Sequence, residues 1–203
     1  MLFGRDGAAM KQVLILALLC LLLTTGAAAD FEPETDYMAL MTEAAMAGDE
    51  AAGLAAEARR AEKIAALGLD YAPVSYAELS LLSRVIHAEA GSEWLGMEWK
   101  MSVGEVVLNR IASPEFPDTM QAVIEQPGQY YGKNSRYLQT LLPSRGSVEA
   151  AARLLSGERV LSEPAVVFQS NRRLGGGLFR ELRDRYLGST YLCYSSHREL
   201  YAA

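Results

Sequence analysis

The sequence predicts a mostly helical α+β fold with a minor β element, and three observations support that prediction. Apolar residues recur at helical spacing through most of the region 76–156. Two short runs near the C-terminus, 165–169 and 191–194, are instead rich in β-branched and aromatic residues. The chain has 203 residues, 50% of them hydrophobic, which is enough for one domain with a buried core.

Residues 1–29 have the layout of a secretory signal. Lys11 precedes an apolar run of 11 residues at 13–23, and three alanines at 27–29 precede Asp30. The run is shorter than the about 20 residues that span a bilayer, so we expect cleavage near Asp30 and only transient membrane contact. Met10 is an alternative start. An uncleaved anchor stays open, because the alanines extend the apolar run.

Residues 30–72 are predicted to form an acidic, Ala-rich helical leader. They carry ten acidic and three basic residues, whereas 73–203 carry 14 of each. Two short helices are predicted, with Asp49 as the N-cap of the second. The apolar face of the first consists of Tyr37, Met38, Met41 and Ala45, and that of the second consists of Leu54, Ala58, Ala61 and Ala65. A solvated segment that only spaces the following domain from the membrane is the alternative.

Residues 73–203 are predicted to form the main domain. Its helices are predicted at 76–90, 99–112, about 119–125 and 147–156. Gly91 would end the first of these in the left-handed conformation, and Asp118 or Thr119 would cap the third. Two prolines make 113–117 a rigid loop, and three glycines make 175–177 a flexible one.

Charge and cysteine content exclude several function classes. The net charge of −6 argues against a dedicated nucleic-acid binder. Without the signal, Cys193 is the only cysteine left, so no internal disulfide forms. His87 and His197 are the only histidines, and the zinc signatures H-E-x-x-H and P-C-x-x-C are absent. The sequence therefore predicts neither a metal nor a cofactor, and Cys193 is interpreted as a buried structural residue.

Glu89 is the informative titratable residue. In the helix predicted at 76–90 it falls in the middle of the arc formed by Leu82, Val85 and Ile86. A carboxylate on a buried face, in the last helical turn, is disfavoured in its charged form. We therefore expect a raised pKa, which suits a general acid. From geometry alone, a Glu89 paired with Arg84 or Arg110 is an equal alternative.

Four blocks of sequence resemble the cell wall hydrolases of the SleB/CwlJ type, which include the spore cortex-lytic enzymes. The blocks are LSRVIHAEA at 82–90, GEVVLNR at 104–110, SPEFPDT at 113–119 and QPGQY at 126–130. The resemblance covers about 79–194. It implies a lysozyme-like, lytic transglycosylase-like domain that cleaves the glycan strand of peptidoglycan, with Glu89 at the position of the catalytic acid.

The resemblance also implies a mechanism. Glycosidic cleavage needs an acid on the leaving oxygen and a group that quenches the oxocarbenium-like centre. In lytic transglycosylases one glutamate serves as acid and then as base, and the product carries a 1,6-anhydro-muramic end. Glu89 would play both roles. A hydrolytic muramidase with the same glutamate is the alternative.

Other site residues are expected around Glu89. Gln129 is a predicted sugar contact, because an amide both donates and accepts. Tyr130 and Tyr131 are predicted to stack on a saccharide, with ordinary packing as the alternative. Glu105 replaces a residue that is commonly small in the family; it is a candidate second carboxylate or substrate contact, although a charge on the helix flank is favoured. Asn109 and Arg110 are interpreted as structural, and Gln169 stands where the family's later block usually has a histidine.

These expectations describe a protein secreted to the cell wall or spore envelope, with a role in spore germination as part of the resemblance. Peptidoglycan is the predicted partner, and an activating or anchoring protein is left open. Two alternatives come from other classes: a non-catalytic peptidoglycan-binding protein that kept the fold, and a secreted thiol peptidase or amidase that uses Cys193.

Overall fold

The structure is a computed structural model that describes residues 36–68, 74–130 and 136–201. The predicted signal at 1–29, the start of the leader and Tyr131 lie outside the described residues. Seven α-helices and three strands are present in the described part, followed by a short 3₁₀ helix at Arg198–Tyr201. The helices are α1 (Tyr37–Ala47), α2 (Glu50–Ala66), α3 (Tyr76–Ala90), α4 (Met97–Ile111), α5 (Met120–Ile124), α6 (Arg136–Thr140) and α7 (Arg145–Leu155). The mostly helical α+β class is thereby confirmed.

The core lies between α3, α4 and α7. Each of these helices buries one apolar face, with Leu82, Val103 and Leu154 fully enclosed. Gly104 allows the three helices to approach closely: a Cβ there would lie 2.6 Å from Leu154 Cδ1 and 2.7 Å from Ile86 Cδ1. Close packing of this kind leaves no room for a side chain at 104, which explains the glycine in the middle of a helix.

The two leader helices pack on this same core. Met41, Ala44 and Ala45 of α1 are buried in it, and Asp49 caps α2 by accepting from the N–H of Ala52, as predicted. From Tyr37 onward the described residues form one compact unit. A boundary between leader and main domain therefore stays a prediction from the sequence.

The apolar face predicted for α2 is wrong. Leu54 is 49% exposed, and the residues that α2 buries are Gly53, Ala56 and Ile64. The reason is the ring of Tyr76, which approaches the helix so closely that a Cβ at Gly53 would lie 2.2 Å from it. The close contact between Gly53 and the Tyr76 ring therefore determines which face of α2 is buried. The spacing of the alanines does not determine it.

The three strands form one antiparallel sheet in the order β1-β3-β2. β1 is Val166–Ser170, β2 is Leu178–Asp184 and β3 is Gly188–Tyr194. The register places Gln169 of β1 opposite Leu192 of β3. The sequence did not predict β2, because four of its seven residues are charged and most of the strand is half-exposed.

The end of α3 also differs from the prediction. Gly91 has φ −73°, so it is not in the left-handed region. Glycine is required there for space instead, because a Cβ would lie 2.3 Å from the carbonyl oxygen of His87. Among the helices of the described ranges, none is long and apolar enough to cross a membrane.

Candidate active site

Glu89 lies in the last turn of α3, where the helix passes the edge of the core. Its side chain is exposed rather than buried, which corrects the expectation of an enclosed carboxylate. Solvent reaches one side of the carboxylate, and enough protein surrounds the others for desolvation to raise the pKa of Glu89. Arg110 lowers this pKa by a smaller amount. The raised pKa agrees with the direction expected from the sequence.

Gln169 is the side chain in contact with Glu89. Its Nε2 donates to Glu89 Oε2 over 3.4 Å, from strand β1 to the end of α3. The sequence indicated only that this position departs from a family block. The contact depends on how β1 is attached to α4, which sequence spacing does not reveal.

Arg110 and Asn109 make that attachment. Arg110 is 3% exposed, and its Nε donates to the carbonyl oxygen of Val167 over 2.6 Å. Asn109 Nδ2 donates to the carbonyl oxygen of Val166 over 3.1 Å. The interpretation of both residues as structural is confirmed, because they hold β1 against the end of α4.

Arg110 also organises the aromatic side chains beside Glu89. Its guanidinium lies 5.0 Å from the ring centre of Phe116, 5.3 Å from that of Tyr130 and 5.9 Å from that of Phe168. These are distances at which a cation is attracted to an aromatic ring. One buried cation thus fixes three rings that come from three loops or strands.

Tyr130 carries two signs of a functional role. Its φ of 41° lies in the left-handed region, where a bulky residue is strained. Its hydroxyl is buried and has no hydrogen-bond partner in the described part of the chain. Burial raises the pKa of Tyr130 to about 12, against the opposing effect of Arg110 and with a contribution from Glu89. The hydroxyl therefore remains a proton donor at physiological pH.

Gln129 lies next to this tyrosine, and its side-chain carbonyl is occupied. Arg110 Nη1 donates to Gln129 Oε1 over 2.8 Å, so the amide nitrogen is the group left for a ligand. Two further amide oxygens, of Gln126 and Gln169, are buried without a partner in the described residues. Like the Tyr130 hydroxyl, these oxygens are enclosed polar atoms whose hydrogen bonds are not made within the described part of the chain.

Glu105 does not lie in this site. It is 2% exposed, and its Oε2 accepts from the backbone N–H of Val160 over 2.6 Å and of Leu161 over 3.0 Å. This placement differs from the charge on the helix flank that the sequence favoured. It also differs from a substrate contact. The carboxylate is enclosed and holds the segment that leads into β1.

Replacing Glu105 by alanine is expected to lower the free energy of unfolding by about 3–5 kcal/mol. Two backbone N–H groups would lose a charged acceptor, and each loss costs about 1–3 kcal/mol. Urea denaturation of Glu105→Ala measures the change, and Glu149→Ala on the exposed side of α7 is the matched control. Equal stability of the two variants would show that the backbone contacts contribute nothing.

Lys100 and His87 stabilise the backbone around the end of α3. Lys100 Nζ donates to the carbonyl oxygens of Ala90 and Ser92, over 2.6 and 3.0 Å. The backbone N–H of Ser144 donates to His87 Nδ1 over 3.0 Å, which requires a neutral imidazole. Desolvation, helped by Lys100, lowers the pKa of His87. Both side chains keep Glu89 at a defined position through contacts with the main chain.

Metal binding and catalysis by the Cys193 thiol, two chemistries considered from the sequence, find little support among the described residues. No group of three or more His, Cys, Asp or Glu side chains among the described residues could hold a metal ion. Cys193 is fully buried on β3, as interpreted from the sequence, so its thiol is out of reach of a substrate.

Comparison with known proteins yields one finding. Neither the curated proteins nor the solved structures that were searched gave a match. A family model described as Cell Wall Hydrolase matches residues 96–176. The matched region includes α4, Gln129, Tyr130 and β1, and it begins seven residues after Glu89. Residues 96–176 are therefore similar to the cell wall hydrolase family, in agreement with the resemblance stated above, and three of the four sequence blocks, at 104–110, 113–119 and 126–130, lie within the matched region.

Proposed function

We propose that this protein is an exported enzyme that cleaves the glycan strand of peptidoglycan, with Glu89 as general acid and then general base. The family of the 96–176 domain supports the cell wall as the place of action and peptidoglycan as the substrate. The bond cleaved, the role of Glu89 and the outcome as a lytic transglycosylase are the parts proposed here.

The environment of Glu89 carries the proposal. Desolvation favours its protonated form, while its side chain stays open to a ligand. Arg110 is the charged group that lowers this pKa, and its effect is smaller than that of desolvation. A carboxyl group whose protonated form is favoured suits the first step of a reaction in which one group serves as acid and then as base.

The reaction proceeds in two proton transfers. Protonated Glu89 donates its proton to the glycosidic oxygen, the C1–O bond of the muramic residue breaks, and an oxocarbenium-like centre forms. The carboxylate of Glu89 then accepts the proton of the muramic 6-hydroxyl, whose oxygen bonds to C1. The product has a 1,6-anhydro end, no water is consumed, and Glu89 is protonated again.

Three neighbouring side chains support these steps. Gln169 orients the carboxylate through its hydrogen bond to Oε2. Tyr130 remains a proposed stacking residue for the saccharide, with its hydroxyl enclosed and its ring centre 5.3 Å from the Arg110 guanidinium. Gln129 offers its amide N–H groups, because Arg110 already occupies its oxygen. Tyr131 remains a proposed stacking residue that lies outside the described residues.

The proposal also includes the place where the protein acts. Export depends on the signal at 1–29, with the protein released to the cell wall or spore envelope. We retain an activating or anchoring partner as part of the proposal, and the acidic leader at 30–72 is a candidate surface for it.

Mass spectrometry of the products tests the proposal directly. Purified peptidoglycan digested by the mature protein should yield muropeptides with 1,6-anhydro ends, which weigh one water less than hydrolysed ends and resist borohydride reduction. Reducible ends would instead indicate a hydrolytic muramidase. Binding of peptidoglycan without any soluble fragment would overturn the enzymatic proposal and indicate a non-catalytic binding protein.

A further inference from the structure

Two exposed aromatic side chains lie together outside the site described above. Trp94, in the loop between α3 and α4, is 60% exposed, and Tyr186, at the turn between β2 and β3, is 68% exposed. Their rings are in edge-to-face contact, with centroids 6.2 Å apart. Large aromatic residues that stay open to solvent as a pair are typical of a binding surface.

The carboxylate of Asp184 fixes the turn that carries Tyr186 and lies beside Trp94. Asp184 Oδ1 accepts from the backbone N–H of Tyr186 over 2.8 Å and of Leu187 over 2.9 Å. These N–H groups lower the pKa of Asp184, and the nearby Trp94 side chain contributes to the same shift. Arg185 places its guanidinium 4.3 Å from the ring centre of Tyr186. The pair is therefore positioned before any ligand arrives, which lowers the entropic cost of binding.

The pair lies close to Glu89 along the chain and across the fold. Trp94 follows Glu89 by five positions, a span of at most about 18 Å. Arg180 of β2 bridges to Glu98 in the first turn of α4 with an N–O distance of 2.5 Å, so the hairpin is fastened beside the 91–96 loop. The aromatic pair thus lies within a few sugar rings of the proposed catalytic acid.

A polymeric substrate extends beyond the bond that is cleaved. The C–H faces of a pyranose ring pack on aromatic faces, whose π-electrons are negative, while its hydroxyls require polar partners at the edge. Trp94 and Tyr186 supply the aromatic surface, and Asp184 and Arg185 supply the polar edge. Arg185 also suits the carboxylates of the peptide stems that peptidoglycan carries.

We propose that Trp94 and Tyr186 form a distal saccharide subsite that binds the glycan strand several sugars away from Glu89. This inference rests on the proposed function, because the ligand is the same peptidoglycan strand. The subsite would increase the affinity for long strands and contribute nothing to the chemical step at Glu89.

The test compares a polymeric with a short substrate. The double variant Trp94→Ala/Tyr186→Ala should cleave purified sacculi with a KM raised on the order of tenfold, since each stacked ring contributes a factor of about 2–10. Its kcat should not change. On a tetrasaccharide that spans only the scissile bond, the variant should match the wild type.

Three controls keep the test decisive. Trp94→Phe/Tyr186→Phe retains two ring faces and should restore most of the affinity. Leu67→Ala removes an apolar side chain of similar exposure at the end of α2 and should have no effect. Sacculus pull-down in the Glu89→Gln background measures the same loss of affinity without catalysis.

The outcomes separate the two proposals. Equal KM values for the wild type and the double alanine variant on sacculi would overturn the subsite, as would an equal loss on both substrates. If the wild type cleaves neither substrate, the proposed function fails, and the pull-down still shows whether the two rings bind peptidoglycan.

Discussion

Replacing Glu89 by glutamine is expected to reduce peptidoglycan cleavage by about 10²–10⁴-fold, the usual contribution of a general acid–base group. Glutamine keeps the shape of the side chain and its contact with Gln169 but cannot supply or accept the proton. Release of soluble muropeptides from sacculi, measured as initial rates, gives the comparison. Glu93→Gln is the matched control, because it neutralises an exposed carboxylate four residues away.

The same variant should fold at least as well as the wild type at neutral pH. A raised pKa means that the stabilising contribution of Glu89 is fully present below the ordinary glutamate pKa of about 4.3 and is lost as the pH rises through the folded-state value. Glutamine removes this loss. Thermal unfolding across that pH range checks the sign. A folded Glu89→Gln protein with full activity would show that another group supplies the proton.

Replacing Arg110 by methionine is expected to lower the free energy of unfolding by about 3–5 kcal/mol. The variant leaves the oxygens of Val167 and Gln129 without their charged donor, and hydrogen bonds to a charged group contribute about 1.5–3 kcal/mol each. It also removes the cation shared by Phe116, Tyr130 and Phe168. Urea denaturation measures the loss, with Arg172→Met on an exposed loop as control.

Activity of the folded fraction provides a second measurement on Arg110. Since Arg110 lowers the pKa of Glu89, its removal should raise that pKa further. The limb on which activity declines at high pH, where the acid is deprotonated, should therefore move to higher pH. Arg110→Lys keeps the charge and should leave the limb near its wild-type position. A shift to lower pH in Arg110→Met would contradict the placement of Arg110 beside Glu89.

Local sequence predicted the elements that follow strong periodic or capping signals. The helix at Tyr76–Ala90, the Asp49 cap and the Thr119 cap were found because each depends on residues three or four positions apart. Strand β2 was missed because four of its seven residues are charged and it lies at a half-exposed edge of the sheet, where no apolar pattern is needed. The orientation of α2 was wrong because a distant residue, Tyr76, determined which side of the helix is buried.

The residues of the candidate site also divide into those that local sequence indicates and those that only contacts across the fold reveal. Local sequence nominated Glu89 from its position in the apolar arc of one helix, and the direction of its pKa shift agrees with that choice, although its side chain is exposed. Gln169 and Tyr130 gained their significance only from contacts across the fold, as did Glu105, whose carboxylate turned inward to the backbone at Val160. No spacing within the sequence indicates that Glu89 faces the solvent and that Glu105 does not.

The sequence by itself determined the helical class, the acidic segment at 30–72 and the charge-balanced one at 73–203, the resemblance to cell wall hydrolases and the choice of Glu89 as candidate acid. These properties depend on periodicity, composition and short motifs, all of which act over a few neighbouring residues. The tertiary structure decided that Glu89 is open to solvent, that Arg110 gathers three aromatic rings beside it, and that Trp94 meets Tyr186. Those outcomes depend on packing between residues that are far apart in the chain, because burial and contact are properties of the assembled core.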